Sequence, residues 1–418
     1  MAFCYREIAM CRLNLLLILF VCAAVPAVAG PYEDGVVAYA KGDYPTAMRL
    51  LRPIAEQGYA SAQFNLGVMY DNGEGVTQDY AAAISWYRKA AEQGDAYAQF
   101  NLGLMYANGQ GVPQDYATAV SWYRKAAEQG DDRAQHNLGF MYANGQGVTQ
   151  DYAAAVSWYR KAADQGHATA QNNLGVMYAN GQGVTQDYAA AVSWYRKAAE
   201  KGDANAQTNL GFMYDNGQGV TQDYVQAVSW FRKAAEQGYA EAQNNLGVMY
   251  DDGRGVPQDY AAAVTWWRKA ADQGNASAQN NLGVMYNSGQ GVPQDSVTAM
   301  SWYRKAADQG HAYAQNNLGV MYANGQGLPQ DYAAAMSWYR KAADQGDDAA
   351  QFNLGVMYEK GQGLPQDYVL AHMWFSLAAS GSNEDAVKQR DTIAKKMMPA
   401  QIAEAQKMAA EWKPKPNR

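Results

Sequence analysis

Apolar side chains recur along this chain in the step of an α-helix. In the stretch from Asp95 to Tyr106, Ala98, Leu102, Met105 and Tyr106 fall at i, i+4, i+7 and i+8, one stripe of an amphipathic helix. From Asp115 to Gln129 a second stripe carries Ala119, Trp122, Tyr123, Ala126 and Ala127 at i, i+3, i+4, i+7 and i+8. Asp95 is the expected N-cap of the first helix, and Gly130 the left-handed stop after the second. Between them, Asn108-Gly109-Gln110-Gly111-Val112-Pro113 reads as a loop, because glycine reaches positive φ freely and Pro113 cannot prolong the preceding helix. Gly103 lies mid-helix, where glycine costs about 1 kcal/mol relative to alanine. Its presence there predicts a close helix approach that a side chain would block.

The same hairpin returns at a fixed interval. Asn-Leu-Gly starts at Asn65, Asn101, Asn137, Asn173, Asn209, Asn245, Asn281, Asn317 and Asn353, every 36 residues without insertion, and a tryptophan keeps the same step from Trp86 to Trp374. A period of this size marks an array whose hairpins bury their aromatic faces only by stacking on their neighbours. Residues 59–382 therefore read as nine units. Residues 30–58 read as a degenerate N-terminal capping repeat, with Asp43, Tyr44, Ala47, Arg52, Ala55 and Gly58 in register but Leu50 in the tryptophan slot. Residues 383–418 read as a C-terminal helical cap with a basic tail, its two helices over 383–396 and 400–412.

The pattern A-x-A-Q-x-N-L-G-x-M-Y-x-x-G-x-G-V…D-Y-x-x-A-x-x-W-Y-R-K-A-A-x-Q-G closely resembles the Sel-1-like repeat, a relative of the tetratricopeptide repeat, over nearly the whole chain after residue 29. The resemblance implies an all-α, right-handed α-solenoid of antiparallel helix hairpins, used as an interaction scaffold. Some cysteine-rich relatives are described as penicillin-binding or β-lactamase-like, which leaves an envelope hydrolase as the alternative; an inert structural spacer is the third reading.

Charge and targeting narrow the choice. A net charge of −7 with no basic stripe argues against a nucleic-acid partner, which needs clustered Lys and Arg. Arg6 and Arg12, the apolar run Leu15–Val21 and Ala27-Val28-Ala29 have the layout of a signal peptide over residues 1–29, with cleavage before Gly30. That predicts export to the periplasm or beyond, with no transmembrane segment in the mature chain. Cys4, Cys11 and Cys22 all leave with the leader, so the disulfides on which the hydrolase-like relatives depend are excluded from the mature chain. The cap residues Lys388, Arg390, Lys395, Lys396, Lys407, Lys413, Lys415 and Arg418 outnumber their acidic neighbours, which suggests contact with an anionic surface.

No cofactor, metal or catalytic residue is expected. His136, His167, His311 and His372 lack partners at metal-ligand spacing, and His167 and His311 read as surface substitutions in the Asp95 slot. A serine precedes the repeat tryptophan in seven units, and a residue needed once for catalysis would not recur in one structural slot. What varies between units is more informative. Gln99, Asn101, Leu102, Gly103 and Trp122 are the same in all nine units and answer to shared packing; changing positions are free for a ligand. Two such positions, three residues apart on the first helix, supply the candidate partner-binding groove: Tyr97, Arg133, Asn205, Glu241 and Tyr313 in one, and Phe100, His136, Asn172, Thr208, Asn244, Asn280 and Asn316 in the other. By resemblance to tetratricopeptide repeats this face lines a concave groove, aromatic at its start and amide-rich in the middle. It suits a protein or peptide partner, with a cell-wall polymer as the other candidate.

Overall fold

The computed structural model describes residues 30–381 and 383–414, and among them every regular element is a helix, 22 in all. The expected leader lies outside the described residues, as do Lys415 and Arg418. Contacts group the chain into two compact units, Met1–Asp203 and Ala204–Arg418, each with its own cores.

In the first unit, α1 (Pro31–Ala40) and α2 (Tyr44–Glu56) form an opening hairpin. They are followed by α3 (Ala60–Asn72), α4 (Tyr80–Glu92), α5 (Ala96–Asn108), α6 (Tyr116–Glu128), α7 (Asp132–Asn144), α8 (Tyr152–Asp164), α9 (Ala168–Asn180) and α10 (Tyr188–Glu200). Within this unit each packs on the next in the chain. The second unit repeats the scheme from α11 (Ala204–Asn216) through α20 (Tyr368–Ser380) and closes with α21 (Glu384–Ala394) and α22 (Pro399–Glu411). Pro399 starts the last helix as expected, and Trp412 beyond its end meets Trp374 edge-on at 6.3 Å.

The hairpin α5/α6 shows why the sequence folds this way. Asp95 caps α5 by accepting from the Ala98 amide at 2.8 Å, and Gly109 ends it at φ 69°. The loop is fastened back to that end by Gln114 Nε2 donating to Ala107 O at 2.7 Å and by the Asp115 amide donating to Tyr106 O at 2.9 Å. A Cβ on Gly103 would lie 2.7 Å from the Tyr123 ring, so the mid-helix glycine marks a ring lying flat against the backbone.

That ring corrects one expectation. The residue after the repeat tryptophan is the buried one: Tyr123 is 2% exposed, whereas Trp122 is half-buried with the Lys125 ammonium 4.0 Å above it. The same Lys-over-Trp pairing recurs at Trp86, Trp158, Trp194, Trp230, Trp266, Trp302 and Trp338. The lysine stem and ammonium shield one ring face at the outer surface of each hairpin.

Successive hairpins are bolted by glutamines. Gln135 Nε2 donates to Ala127 O of the preceding hairpin at 3.0 Å, and its own oxygen accepts from Gln165 Nε2 at 2.8 Å. This staple recurs in seven hairpins, from Gln63 with Gln93 to Gln315 with Gln345, at 2.7–2.8 Å. A second tie runs from Arg124 Nη2 to the Tyr142 hydroxyl at 2.8 Å and returns elsewhere, as between Arg88 and Tyr106.

Candidate functional site

The two varying positions differ in exposure. In the first slot Tyr97 (49%), Tyr313 (66%) and Glu241 are exposed, while Arg133 and Asn205 are half-buried. In the second slot Phe100, Asn172, Thr208, Asn280 and Asn316 are all buried, and His136 and Asn244 are half-buried. Second-slot side chains therefore do not form free groove surface. Phe100 and His136 lie against the aromatic ring of their own second helix, and His136, Asn244, Asn280 and Asn316 meet the asparagine of the next hairpin in the seam between first helices.

Aromatic residues in the seam of the first unit rest on those rings. Phe64 and Phe100 lie 5.9 Å from Tyr87 and Tyr123, and Phe64 also meets Tyr97 at 5.9 Å. Arg133 spreads over Phe100 at 4.3 Å and Tyr97 at 5.2 Å while its guanidinium is paired with Asp131 at 2.6 Å. His136 packs on Tyr159 and stacks on His167 at 4.8 Å with the rings 12° apart. Its Nδ1 faces Asn137 Oδ1 at 3.0 Å and its Nε2 faces Asn173 Nδ2 at 3.2 Å, an arrangement that the neutral tautomer protonated on Nδ1 satisfies at both ends. Burial and the adjacent His167 push its pKa down to about 3, with the neighbouring carboxylate of Asp132 opposing. His167 falls to about 4, chiefly through burial.

His167 and His311 are not idle surface substitutions. Each caps its helix in place of aspartate, the Nδ1 accepting from Ala170 N at 3.2 Å and Ala314 N at 3.3 Å. A ring nitrogen accepts only while it is unprotonated, so the caps need neutral imidazoles.

In the second unit the seam carries amides linked end to end. Asn281 Nδ2 donates to Asn244 Oδ1 at 3.4 Å, Asn317 Nδ2 to Asn280 Oδ1 at 3.2 Å, and Asn353 Nδ2 to Asn316 Oδ1 at 2.9 Å. Within a hairpin, Asn244 and Asn280 donate to the oxygens of Asn245 and Asn281 at 3.3 and 3.5 Å. The invariant asparagine is thus a connector between hairpins. Its amide is left without a partner at Asn245, where the preceding hairpin offers the short Thr208.

No group of three or more metal-ligating side chains occurs among the described residues, and none of their helices is long and apolar enough to cross a membrane. In the closing helices Lys388, Arg390 and Lys407 pair with Asp385, Asp391 and Glu411.

The repeat unit is matched by the model of the Sel1 repeat at residues 28–59, 60–95, 96–131, 132–167, 168–203, 204–239, 240–275, 276–311, 312–347 and 348–383. The chain belongs to the Sel1 repeat family. The first matched stretch takes in the degenerate repeat at the start of the described residues. Among solved structures, this Sel1 repeat protein is similar to a protective antigen of uropathogenic Escherichia coli strains displaying an SLR fold. The two are 39% identical, with 91% of each chain covered and a TM-score of 0.60. It is also similar to a Sel1 repeat protein from Oxalobacter formigenes, 37% identical over 58% of this chain and 97% of that one, with a TM-score of 0.55. No curated protein matches it. The helical-hairpin solenoid expected from the repeat pattern is the fold, and Sel1 repeat proteins are generally protein-interaction scaffolds.

Proposed function

We infer that this Sel1 repeat protein is an exported, non-enzymatic scaffold that captures a protein or peptide partner along the first-helix face of its hairpins. One observation carries the reading. The first-helix glutamine and the asparagine of Asn-Leu-Gly, which fasten hairpin to hairpin, are constant, whereas the first varying position on the same helix changes at every step and is exposed at Ser61, Tyr97, Glu241, Ser277 and Tyr313. Uniform fastening with a changing outer row gives each hairpin a different contact to offer, which is how a repeat scaffold reads a partner's sequence. Exposed tyrosines are effective anchors, because a large ring is buried at small entropic cost. Export is supported by the leader pattern of residues 1–29 and by a 39%-identical relative that is a protective antigen.

The test is capture from an envelope extract on the immobilised chain, with Tyr97→Ala and Tyr313→Ala against Val297→Ala, an exposed change at the start of a second helix. The tyrosine variants should lose partner recovery by about tenfold or more, in line with the 1.4 kcal/mol or more that a central aromatic anchor supplies. Equal recovery by all three variants refutes the assignment of the face. A native intact mass beginning at Met1 in a cytoplasmic fraction refutes export.

A further inference from the structure

One slot of the first helix is apolar in all nine hairpins and buried in none. It follows the Asn-Leu-Gly triplet and holds Val, Leu or Phe, from Val68 to Val356, while the methionine after it is buried throughout. Phe140 is 45% exposed and Val284 37%, and the others are half-buried, some resting one edge on a hairpin core as Phe212 and Val248 do. A lone exposed apolar side chain needs no explanation, but one in every hairpin makes an open contact surface. The slot lies seven residues after the varying one, as Val248 after Glu241, which is two helical turns on and the same helix face. Consecutive first helices of the second unit adjoin, since Asn281 reaches Asn244 at 3.4 Å and Asn317 reaches Asn280 at 3.2 Å. In that unit Phe212, Val248, Val284, Val320 and Val356 therefore form one row across the helices.

The step of the row selects the shape of a ligand. Packed helix axes lie about 8–10 Å apart. An α-helix returns a side chain to one face about every 5.4 Å and a strand about every 6.6–6.8 Å, so either sets apolar groups between hairpins as well as on them. A polyproline II chain, with about three residues per turn and a rise of about 3.1 Å, returns one about every 9.3 Å, which is one per hairpin. Its other two residues per turn point to the two sides of the row. Both sides carry carboxylates: Glu241 lies on one, and Asp215, Asp251 and Asp252 lie on the other, just past the apolar slot. Arg254 pairs with Asp215 at 3.1 Å and Asp252 at 2.9 Å, whereas among the described residues Glu241 and Asp251 are in no ion pair. Burial and the Asp252 carboxylate push the Asp251 pKa up, so a cation arriving there is favoured. We propose that this row binds a polyproline II segment of a partner that sets an apolar residue at every third position on Phe212, Val248 and Val284, with lysine or arginine between them facing Glu241 and Asp251. The register presupposes that the first-helix face is the docking surface, and adds to it the spacing and charge of what docks. In the first unit Ala107, Ala143 and Ala179 stand at the Asp251 position in three of the four hairpins, so the preference for a basic segment belongs to the second unit.

The experiment titrates the full chain into three fluorescein-labelled peptides and reads anisotropy. One carries four repeats of Leu-Pro-Lys, the second permutes the same residues so that the three-residue period is lost, and the third carries four repeats of Leu-Pro-Glu. The periodic lysine peptide should bind at least tenfold more tightly than either of the others. Val284→Ser should weaken it at least fivefold and Glu241→Gln at least threefold, while Val297→Ser, an exposed change away from the row, should leave it as it was. No binding of the lysine peptide, equal binding of either control peptide, or equal effects of Val284→Ser and Val297→Ser overturns the proposal. The docking face is judged separately by envelope capture with Tyr97→Ala and Tyr313→Ala, so capture that depends on those tyrosines while the peptides bind alike refutes the register and leaves the face.

Discussion

At the scale of single residues, Gly103 is a case where two effects oppose and geometry decides the sign. Replacing a mid-helix glycine by alanine ordinarily gains about 1 kcal/mol of helix propensity. Here the new methyl would sit 2.7 Å from the Tyr123 ring and 3.3 Å from Ala119 O, so overpacking at about 1–3 kcal/mol outweighs the gain. Gly103→Ala is therefore expected to lower the urea midpoint, and a raised midpoint would show that the ring yields. The histidine pair sets an acid limit. His136 and His167 are neutral in the folded chain, with pKa values near 3 and 4 against an ordinary 6.5, and the charges facing them are Asp131, Asp132, Arg133 and Lys201. Because the folded values lie below the unfolded one, their stabilising contribution is complete above about pH 6.5 and is lost as pH falls toward 4 and then 3. Asp95 and Asp347, whose pKa values burial raises, act with the opposite sign, so the pair is isolated by comparison with a variant. His136→Asn, the residue in this slot of four later hairpins, should lose fewer degrees of melting temperature than the wild type between pH 7 and pH 4.5. An identical loss would mean that the imidazole at 136 is not kept neutral by burial.

At the scale of the hairpin, the heptad-like stripe identified both Trp122 and Tyr123 as inward but could not rank them. Adjacent helical positions are about 100° apart, so only one of the two points at the partner helix, and the deciding fact is the missing Cβ at Gly103 that lets Tyr123 in. Tyr123→Ala should cost about 3–5 kcal/mol as a buried aromatic truncation, with Trp122→Ala costing less; denaturant unfolding that inverts this order would contradict the packing. Caps, loop glycines and helix ends were legible in the sequence because each depends on neighbours within a few residues. The burial of Asn172, Asn280 and Asn316 was not, because it depends on where the next hairpin lies, which the period fixes in number but not in direction. Changing Asn244, Asn280 and Asn316 together to Ala thus removes members of a bonded amide series, and at about 0.5–1.5 kcal/mol per bond should cost about 2–4 kcal/mol. A melting temperature unchanged by the triple substitution would return these residues to the surface.

At the scale of the whole molecule, helix contacts run within a hairpin and between neighbouring hairpins, so stability is expected to be a sum of local terms. Gly103→Ala should speed amide exchange in α5, α6 and the hairpins that flank them while leaving residues 312–344 at wild-type rates. Uniform acceleration would show one global unfolding unit. Lys201 illustrates what comparison within one sequence can and cannot deliver. Its departure from the glutamine slot is visible by alignment of the repeats, but the consequence appears only when the oxygen of Gln171 is seen buried without a donor.

The second glycine of each loop has a consequence beyond folding. At φ 70°, Gly111 lies so close to the preceding hairpin that a Cβ would come within 2.6 Å of Tyr80 Cβ, and the equivalent glycines elsewhere repeat that approach. The backbone approach at these joints is shared, so recombination between misaligned copies in the gene can add or delete whole 36-residue cassettes and keep the glycine seat, while the side chains that meet in the seam change with the cassette. Loss of a single codon inside a helix, by contrast, turns all that follows by about 100° and takes the glycine off its seat. Length is free to drift in steps of one cassette, and the chain's individuality rests on the few cassettes that carry a feature found once, such as His136 with His167, or Lys201.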